Sequence, residues 1–243
     1  MADSGTEPKI RILVWDSPTR VFHWLLVLSF AGAYLTAESE RWRLAHVTLG
    51  YTLGGLVAFR VLWGWMGTRY ARFVSFVRGP AAVFQYLRTL LSGKPAHYIG
   101  HNPAGAVAIV LMLFSSVAIV GSGWAIYNDV GSEWLAALHE ASANFMLAVV
   151  GVHLAGVAVA TWLHRENLVR AMWDGKKDGA ASEGIRKTRW PLSMAIVAVV
   201  LGFWWLQWRS APTSVPVAQL HYHQPEQPAL PGKTAASSIA AGA

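Results

Sequence analysis

Cysteine is absent from this 243-residue chain. Its absence excludes disulfides, Cys-ligated iron–sulfur clusters and haem attached through a CxxCH motif. Imidazole is left as the principal metal donor. Charge is scarce as well: 14% of residues are charged against 54% hydrophobic. Acidic residues are fewer than basic ones, 13 against 20, for a formal net charge of +7. That excess is not a nucleic-acid signal, because it is sorted by loop. No short apolar stretch followed by a small-residue cleavage site stands near the N-terminus, so no cleaved signal peptide is expected. The first helix should serve as its own insertion signal.

What remains is long apolar runs and 13 tryptophans. The runs are too long for a soluble core and read as five membrane spans. They cover about 21–37, 46–65, 104–126, 134–163 and 191–208. Fifteen of the twenty Lys and Arg residues fall on one side of these spans. They are Lys9, Arg11 and Arg20; Arg69, Arg72, Arg78, Arg88 and Lys94; and Arg165, Arg170, Lys176, Lys177, Arg186, Lys187 and Arg189. Arg41, Arg43, Arg209 and Lys233 lie on the other side, and Arg60 lies within a helix. The positive-inside rule then puts the N-terminus in the cytoplasm and the C-terminus in the periplasm. Trp63, Trp65, Trp124 and Tyr127, near helix ends, read as an aromatic belt.

The expected organisation is an all-α integral membrane protein. Residues 1–20 form a cytoplasmic segment ending in Asp16-Ser17-Pro18, an N-cap with proline in the first turn. A four-helix bundle spans 21–165, and a basic cytoplasmic linker covers 166–190. A fifth transmembrane helix follows at 191–208. The Pro/Ala-rich periplasmic tail, 209–243, should be extended or disordered.

Four of the nine histidines, His23, His46, His139 and His153, lie in or at the lip of the apolar helices. Ionisable side chains at membrane depth are costly and read as functional. His139 and His153 are fourteen residues apart, which puts them within about 40° of one helix face and about 21 Å apart along it. Depth pairs His46 with His139 and His23 with His153. Two metal centres stacked across the bilayer are the simplest arrangement that uses these pairs. Zinc or copper would add carboxylate or sulfur ligands at the same depth, and Glu140 adjoins His139 rather than facing it. Six-coordinate haem needs only two axial imidazoles from facing helices. His46, Gly50 and Gly54 follow at i, i+4 and i+8, so bare backbone runs along the ligand face. The glycines would admit a porphyrin ring or, alternatively, a close helix contact. His97 and His101 read as capping or headgroup residues and His164 as an interfacial histidine, with His101 and His164 left open as further haem-site residues. His221-Tyr222-His223, in the tail, is a weak metal-binding candidate.

The segments VWDSPTRVFHWLLVLSF, WRLAHVTLGY, GHNPAGA and HEASANFMLAVVGVH together resemble the bacterial cytochrome b561 / Ni-hydrogenase-type di-haem cytochrome b family, over about residues 11–170. The resemblance implies a four-helix core with two b-type haems, a cytoplasmic-side haem on His23 and His153 and a periplasmic-side haem on His46 and His139. Arg20, and Arg41 or Arg43, near the haem edges, would pair with propionates, lipid headgroups being their alternative partners. The implied function is electron transfer in a respiratory chain, across the inner membrane, between the quinone pool and a periplasmic c-type cytochrome or other redox protein. Quinone is then a further ligand, and the lipid bilayer the surroundings. One alternative is an enzyme, a superoxide:quinone oxidoreductase, which would need a cationic funnel at the outer haem. Arg41 and Arg43 against Glu38, Glu40, Asp129 and Glu133 argue against that. The other alternative is a membrane-anchor cytochrome b subunit of a hydrogenase-like complex.

Overall fold

A computed structural model describes residues 8–93 and 96–211. His221 and His223 therefore lie outside the described residues. In chain order the elements are β1 (Ile10–Leu13), α1 (Ser17–Thr36), α2 (Arg43–Met66), α3 (Phe73–Phe76), α4 (Pro80–Leu91), α5 (Pro103–Tyr127), α6 (Trp134–His164), α7 (Leu168–Asp174), β2 (Lys176–Gly179) and α8 (Trp190–Arg209). The protein is a mostly helical, multi-pass membrane protein. Segments Glu40–Met66, Pro103–Tyr127, Trp134–His164 and Trp190–Arg209 are long and apolar enough to cross a bilayer.

The first helix falls short of that apolarity because Thr19, Arg20, His23, Ser29 and Thr36 dilute it, yet it covers the same depth as its neighbour. Asp16 at its start accepts from Trp63 Nε1 and Thr68 Oγ1 at the finish of α2. Phe22 lies against Phe59, Phe30 shares a core cluster with Leu53, and the Ala33 carbonyl meets His46. These contacts run antiparallel along both helices, so α1 crosses whatever α2 crosses. The last helix runs beside the pair, with Ser193 bonded to Ser17 and Trp204 Nε1 donating to Thr52 Oγ1 at 2.8 Å. The α5–α6 pair is also antiparallel, with Ser116 near Met146 and Ile119 near His139.

Small polar residues face inward and large apolar ones outward, as expected where lipid replaces water. Ser29, Thr48, Thr52, Ser115, Ser116 and Ser122 are buried, whereas Leu35, Trp65, Trp162 and Trp208 are exposed. The hydroxyls of Thr52, Ser115, Ser116 and Ser122 donate back to carbonyls one turn earlier, which satisfies them without a partner helix.

The two ends of the bundle differ. Where α1 starts and α2 finishes, β1 pairs antiparallel with β2, Ile10 opposite Gly179 and Leu13 opposite Lys176. Ile12, Val14, Trp15 and Ala171 form a small core there, with Tyr70, Ile99 and Met172 packed on it. Gly175 closes α7 at φ +81°, and a Cβ would stand 2.6 Å from the Trp15 carbonyl oxygen, so glycine is required. The stretch 166–190, read from sequence as a connection, thus contributes a helix and a strand to a cap over this end. The strand KKDG escapes hydropathy because its one buried side chain is Lys177, which donates to the Tyr98 carbonyl and pairs with Glu166 at 3.2 Å.

Candidate functional site

At the open end, where α1 finishes and α2 begins, His46 and His139 come together. Their ring centroids are 6.2 Å apart and the planes cross at 66°. His46 comes from α2 and His139 from α6. Each ring is oriented by a third helix. Nδ1 of His46 donates to the Ala33 carbonyl of α1 at 2.8 Å. Nδ1 of His139 donates to the Ile119 carbonyl of α5 at 3.0 Å, with Ser122 Oγ at 3.2 Å. A carbonyl can only accept, so both rings carry their proton on Nδ1 and keep Nε2 as a free lone pair. This is the usual state of a metal-binding histidine held by a neighbouring backbone group.

The spacing fits a shared metal ion. With metal–nitrogen bonds of about 2.0 Å on each side, two imidazoles on one ion have centroids about 6 Å apart. Among the described residues, no three His, Asp or Glu side chains are grouped so as to hold a metal ion by themselves, whereas iron in a porphyrin needs only two protein ligands. Gly123 faces the imidazole closely: a Cβ there would stand 2.9 Å from His139 Cε1. A cleft of about 220 Å³ opens over the pair, lined by Arg43, Glu40, Tyr127 and Gly123 among others. Of the two arginines considered for this end, Arg43 lines the cleft, while Arg41 stacks on Trp42 at 5.9 Å. The glycines on α2 separate: at Gly50 a Cβ would meet nothing, whereas at Gly54 it would meet Val120 at 2.9 Å, a helix-packing contact.

At the capped end, His23 of α1 and His153 of α6 lie within electrostatic reach of each other. His23 Nδ1 is enclosed with no hydrogen-bond partner, and its ring meets Trp24 edge-on at 5.1 Å. An orphaned imidazole nitrogen suits a group that is bound later. His101, in the loop before α5, joins this neighbourhood. Its ring lies 4.5 Å from that of Trp15 and 4.6 Å from that of Phe76, and Nδ1 is enclosed without a partner. Burial holds the His101 pKa well below the ordinary imidazole value, with further lowering from Arg60, His153, Lys177 and His23. Arg20 donates to the Trp173 carbonyl, and its Nε is enclosed without a partner. His164 stands apart from these groups, its ring 5.3 Å from that of His97, which in turn faces Glu166 at 3.4 Å.

Reading the sequence missed Ser122, Gly123 and the two carbonyls that orient the open-end rings, because an ordinary backbone acceptor has no sequence signature. For His101 it left a capping or headgroup role and a haem-site role open, and the cap folds over its loop and encloses it.

The model of the prokaryotic cytochrome b561 family matches residues 14–175. The chain is 27% identical over 143 residues to the probable Ni/Fe-hydrogenase 1 B-type cytochrome subunit of Escherichia coli K12, covering 48% of this chain and 60% of that protein. It is 31% identical over 146 residues to the probable Ni/Fe-hydrogenase B-type cytochrome subunit of Azotobacter vinelandii, covering 49% and 60%. The corresponding subunit of Rhizobium leguminosarum bv. viciae is 22% identical over 224 residues, covering 72% of this chain and 94% of the relative. The chain thus spans about 60% of the length of the first two relatives. No solved structure matches the chain.

Proposed function

The chain belongs to the prokaryotic cytochrome b561 family, a membrane cytochrome b with an electron-transfer role, and on that premise we propose that it carries two haems b and moves electrons across the inner membrane between the quinone pool and a periplasmic redox protein. Bound haem b supplies reversible one-electron chemistry. The residues of the chain supply ligation, orientation and burial. His46 and His139 would hold one haem, and their backbone-anchored Nδ1 protons would keep each Nε2 available. His23 and His153 are the pair of the other. Along α6 the two ligands, fourteen residues apart, separate the sites by about 21 Å of helix rise. Held by two imidazoles, each haem would supply electron transfer, and the chain's levers on its potential would be burial and hydrogen bonding.

The observation that carries this reading is the His46–His139 geometry: 6.2 Å between centroids, with both rings tied to carbonyls. Sidedness follows from charge. Arg11, Lys176 and Lys177 belong to the cap, and the capped end is therefore assigned to the cytoplasm and the open cleft to the periplasm. The test is a reduced-minus-oxidised spectrum with a haem-to-protein ratio, on detergent-purified wild type and His139→Ala. Two b-type haems falling to one support the ligand map. A ratio untouched by the substitution overturns it.

A second reading is favoured by the relatives' names: the chain is the membrane cytochrome subunit of a hydrogenase-like complex. Deletion of residues 210–243 tests one version of it, in which the tail is the dock. Reduction of the haems by the partner should then fail while the haem spectra persist.

A further inference from the structure

Six buried polar side-chain atoms lack a hydrogen-bond partner among the described residues: Thr19 Oγ1, Arg20 Nε, His23 Nδ1, Ser29 Oγ, Arg60 Nη1 and His101 Nδ1. All but Ser29 belong to the capped end. None belongs to the open end, where the imidazole protons already rest on carbonyls. Four of the five capped-end atoms belong to Arg20, His23, Arg60 and His101, nitrogen donors of which two are cationic guanidiniums. Such a set lacks an acceptor of negative charge.

Arg60 is the strongest of these donors. It is only 4% exposed and sits within a spanning helix. Its guanidinium lies over Phe73 at 4.8 Å and Phe76 at 5.7 Å. Asp16 is the carboxylate that its charge feels. That group is already committed: Oδ1 accepts from the Thr19 amide, and Oδ2 from Trp63 Nε1 and Thr68 Oγ1. A buried guanidinium nitrogen without an acceptor, as Nη1 is here, is costly, and a carboxylate is the group its planar donors match.

Helix register puts Arg60 at the depth of the capped-end histidines. It follows His46 by fourteen residues on α2, the interval by which His153 follows His139 on α6. Both helices run from the open end to the capped end. His46 and His139 meet at the open end, so about 21 Å of rise along each helix brings Arg60 to the level of His153. His101 shares the Phe76 ring with Arg60, at 4.6 Å, and lies within electrostatic reach of His23 and His153. The residue standing on α2 where a second ligand of that helix would stand is therefore a cation.

We propose that Arg60 and His101 bind a carboxylate of the haem held by His23 and His153, as a propionate cradle buried beneath the cap. The proposal rests on the two-haem reading above. A cation beside the iron favours the reduced state, so the cradle raises the potential of that haem alone.

The test is a redox titration of full-length protein, with the haem-to-protein ratio and the resonance Raman propionate-bending bands measured on each sample. In Arg60→Gln, one midpoint potential should fall and one propionate band should shift, while the other haem keeps both. Arg60→Lys, which retains the charge, should recover most of the potential. His101→Gln should shift the same band by a smaller amount. Wild type loaded with haem dimethyl ester should lose the difference from Arg60→Gln loaded in the same way, which separates a propionate from any free anion at the site. A ratio of two with both potentials and both bands unmoved in Arg60→Gln overturns the cradle and leaves the two-haem reading intact. If Arg60→Gln loses the capped-end haem, Arg60→Lys must retain it; loss in both, with the open-end haem in place, also overturns the cradle. A wild-type ratio other than two overturns the two-haem reading itself.

Discussion

The two ends of the bundle solve the same problem differently. At the open end the imidazole protons of His46 and His139 are held by the carbonyls of Ala33 and Ile119. The rings are set at ligating separation by the polypeptide alone. At the capped end His23, Arg60 and His101 carry enclosed nitrogens with no partner, under a roof of β1, β2 and α7. One pair is held by backbone carbonyls, and the other stands among groups that the polypeptide leaves without an acceptor. Preorganisation suits a site that opens through a cleft to solvent, where stray water would otherwise satisfy the donors. A roofed end excludes water, so solvent does not satisfy its enclosed donors.

The comparison predicts its own exceptions, beginning with the largest effect. His46→Ala should remove one haem of two and leave the capped-end spectrum unchanged, and His23→Ala should do the converse. Haem-to-protein ratios read both, and loss of both haems from either variant would show that the sites are not independent. Asp16→Ala should come next. It removes a helix cap and strips the acceptor from buried Trp63 Nε1 and part-buried Thr68 Oγ1, at a cost of about 2–4 kcal/mol in detergent unfolding. That loss should fall on the capped end, so amide exchange should quicken around Val14 and Ala171 before it does around His139.

Gly123→Ala is a smaller change aimed at the open end. Its Cβ would crowd His139 Cε1, an overpacking of about 1–3 kcal/mol. One haem should change potential and the other hold; a shift in both would mean that the crowding propagates along α6. The smallest effect belongs to Asp174. Burial alone would raise its pKa, but the Lys176 amide, Arg11 and Arg170 hold it below the ordinary carboxylate value. A depressed carboxylate contributes stability that is present at neutral pH and lost as pH falls through its folded pKa. Partial exposure limits that contribution to less than about 1 kcal/mol. Wild type should therefore exceed Asp174→Asn slightly near pH 7, and the two should converge in acid. Thermal midpoints that stay parallel down to strongly acidic pH would refute this account.

Most of the helical frame was legible because membrane spans are long, apolar and bounded by capping residues. The five expected spans coincide with α1, α2, α5, α6 and α8 to within a few residues. The fourteen-residue interval of His139 and His153 was equally legible, since helix geometry converts spacing into direction. The same interval from His46 to Arg60 was there to be read, but an arginine in a helix was counted as charge rather than as a group on a face. The cap was not legible. β1 and β2 are four residues each, and Lys176, Lys177 and Asp178 carry no strand pattern, so their pairing depends on a contact between segments more than 160 residues apart in sequence.

Sequence alone determined that this chain lies in a membrane, where its five long helices run to within a few residues, and that four histidines fall in or at the lip of them, because hydropathy, capping and helix period are local properties. It also carried the family resemblance. Tertiary structure decided which nitrogen of His46 and His139 faces a carbonyl, that Arg43 rather than Arg41 lines the cleft, and that His101 and Arg60 lie together against Phe76 at the capped end. Those depend on which backbone carbonyl or aromatic ring from another helix arrives beside each group, and no local pattern encodes the arrival of a distant acceptor.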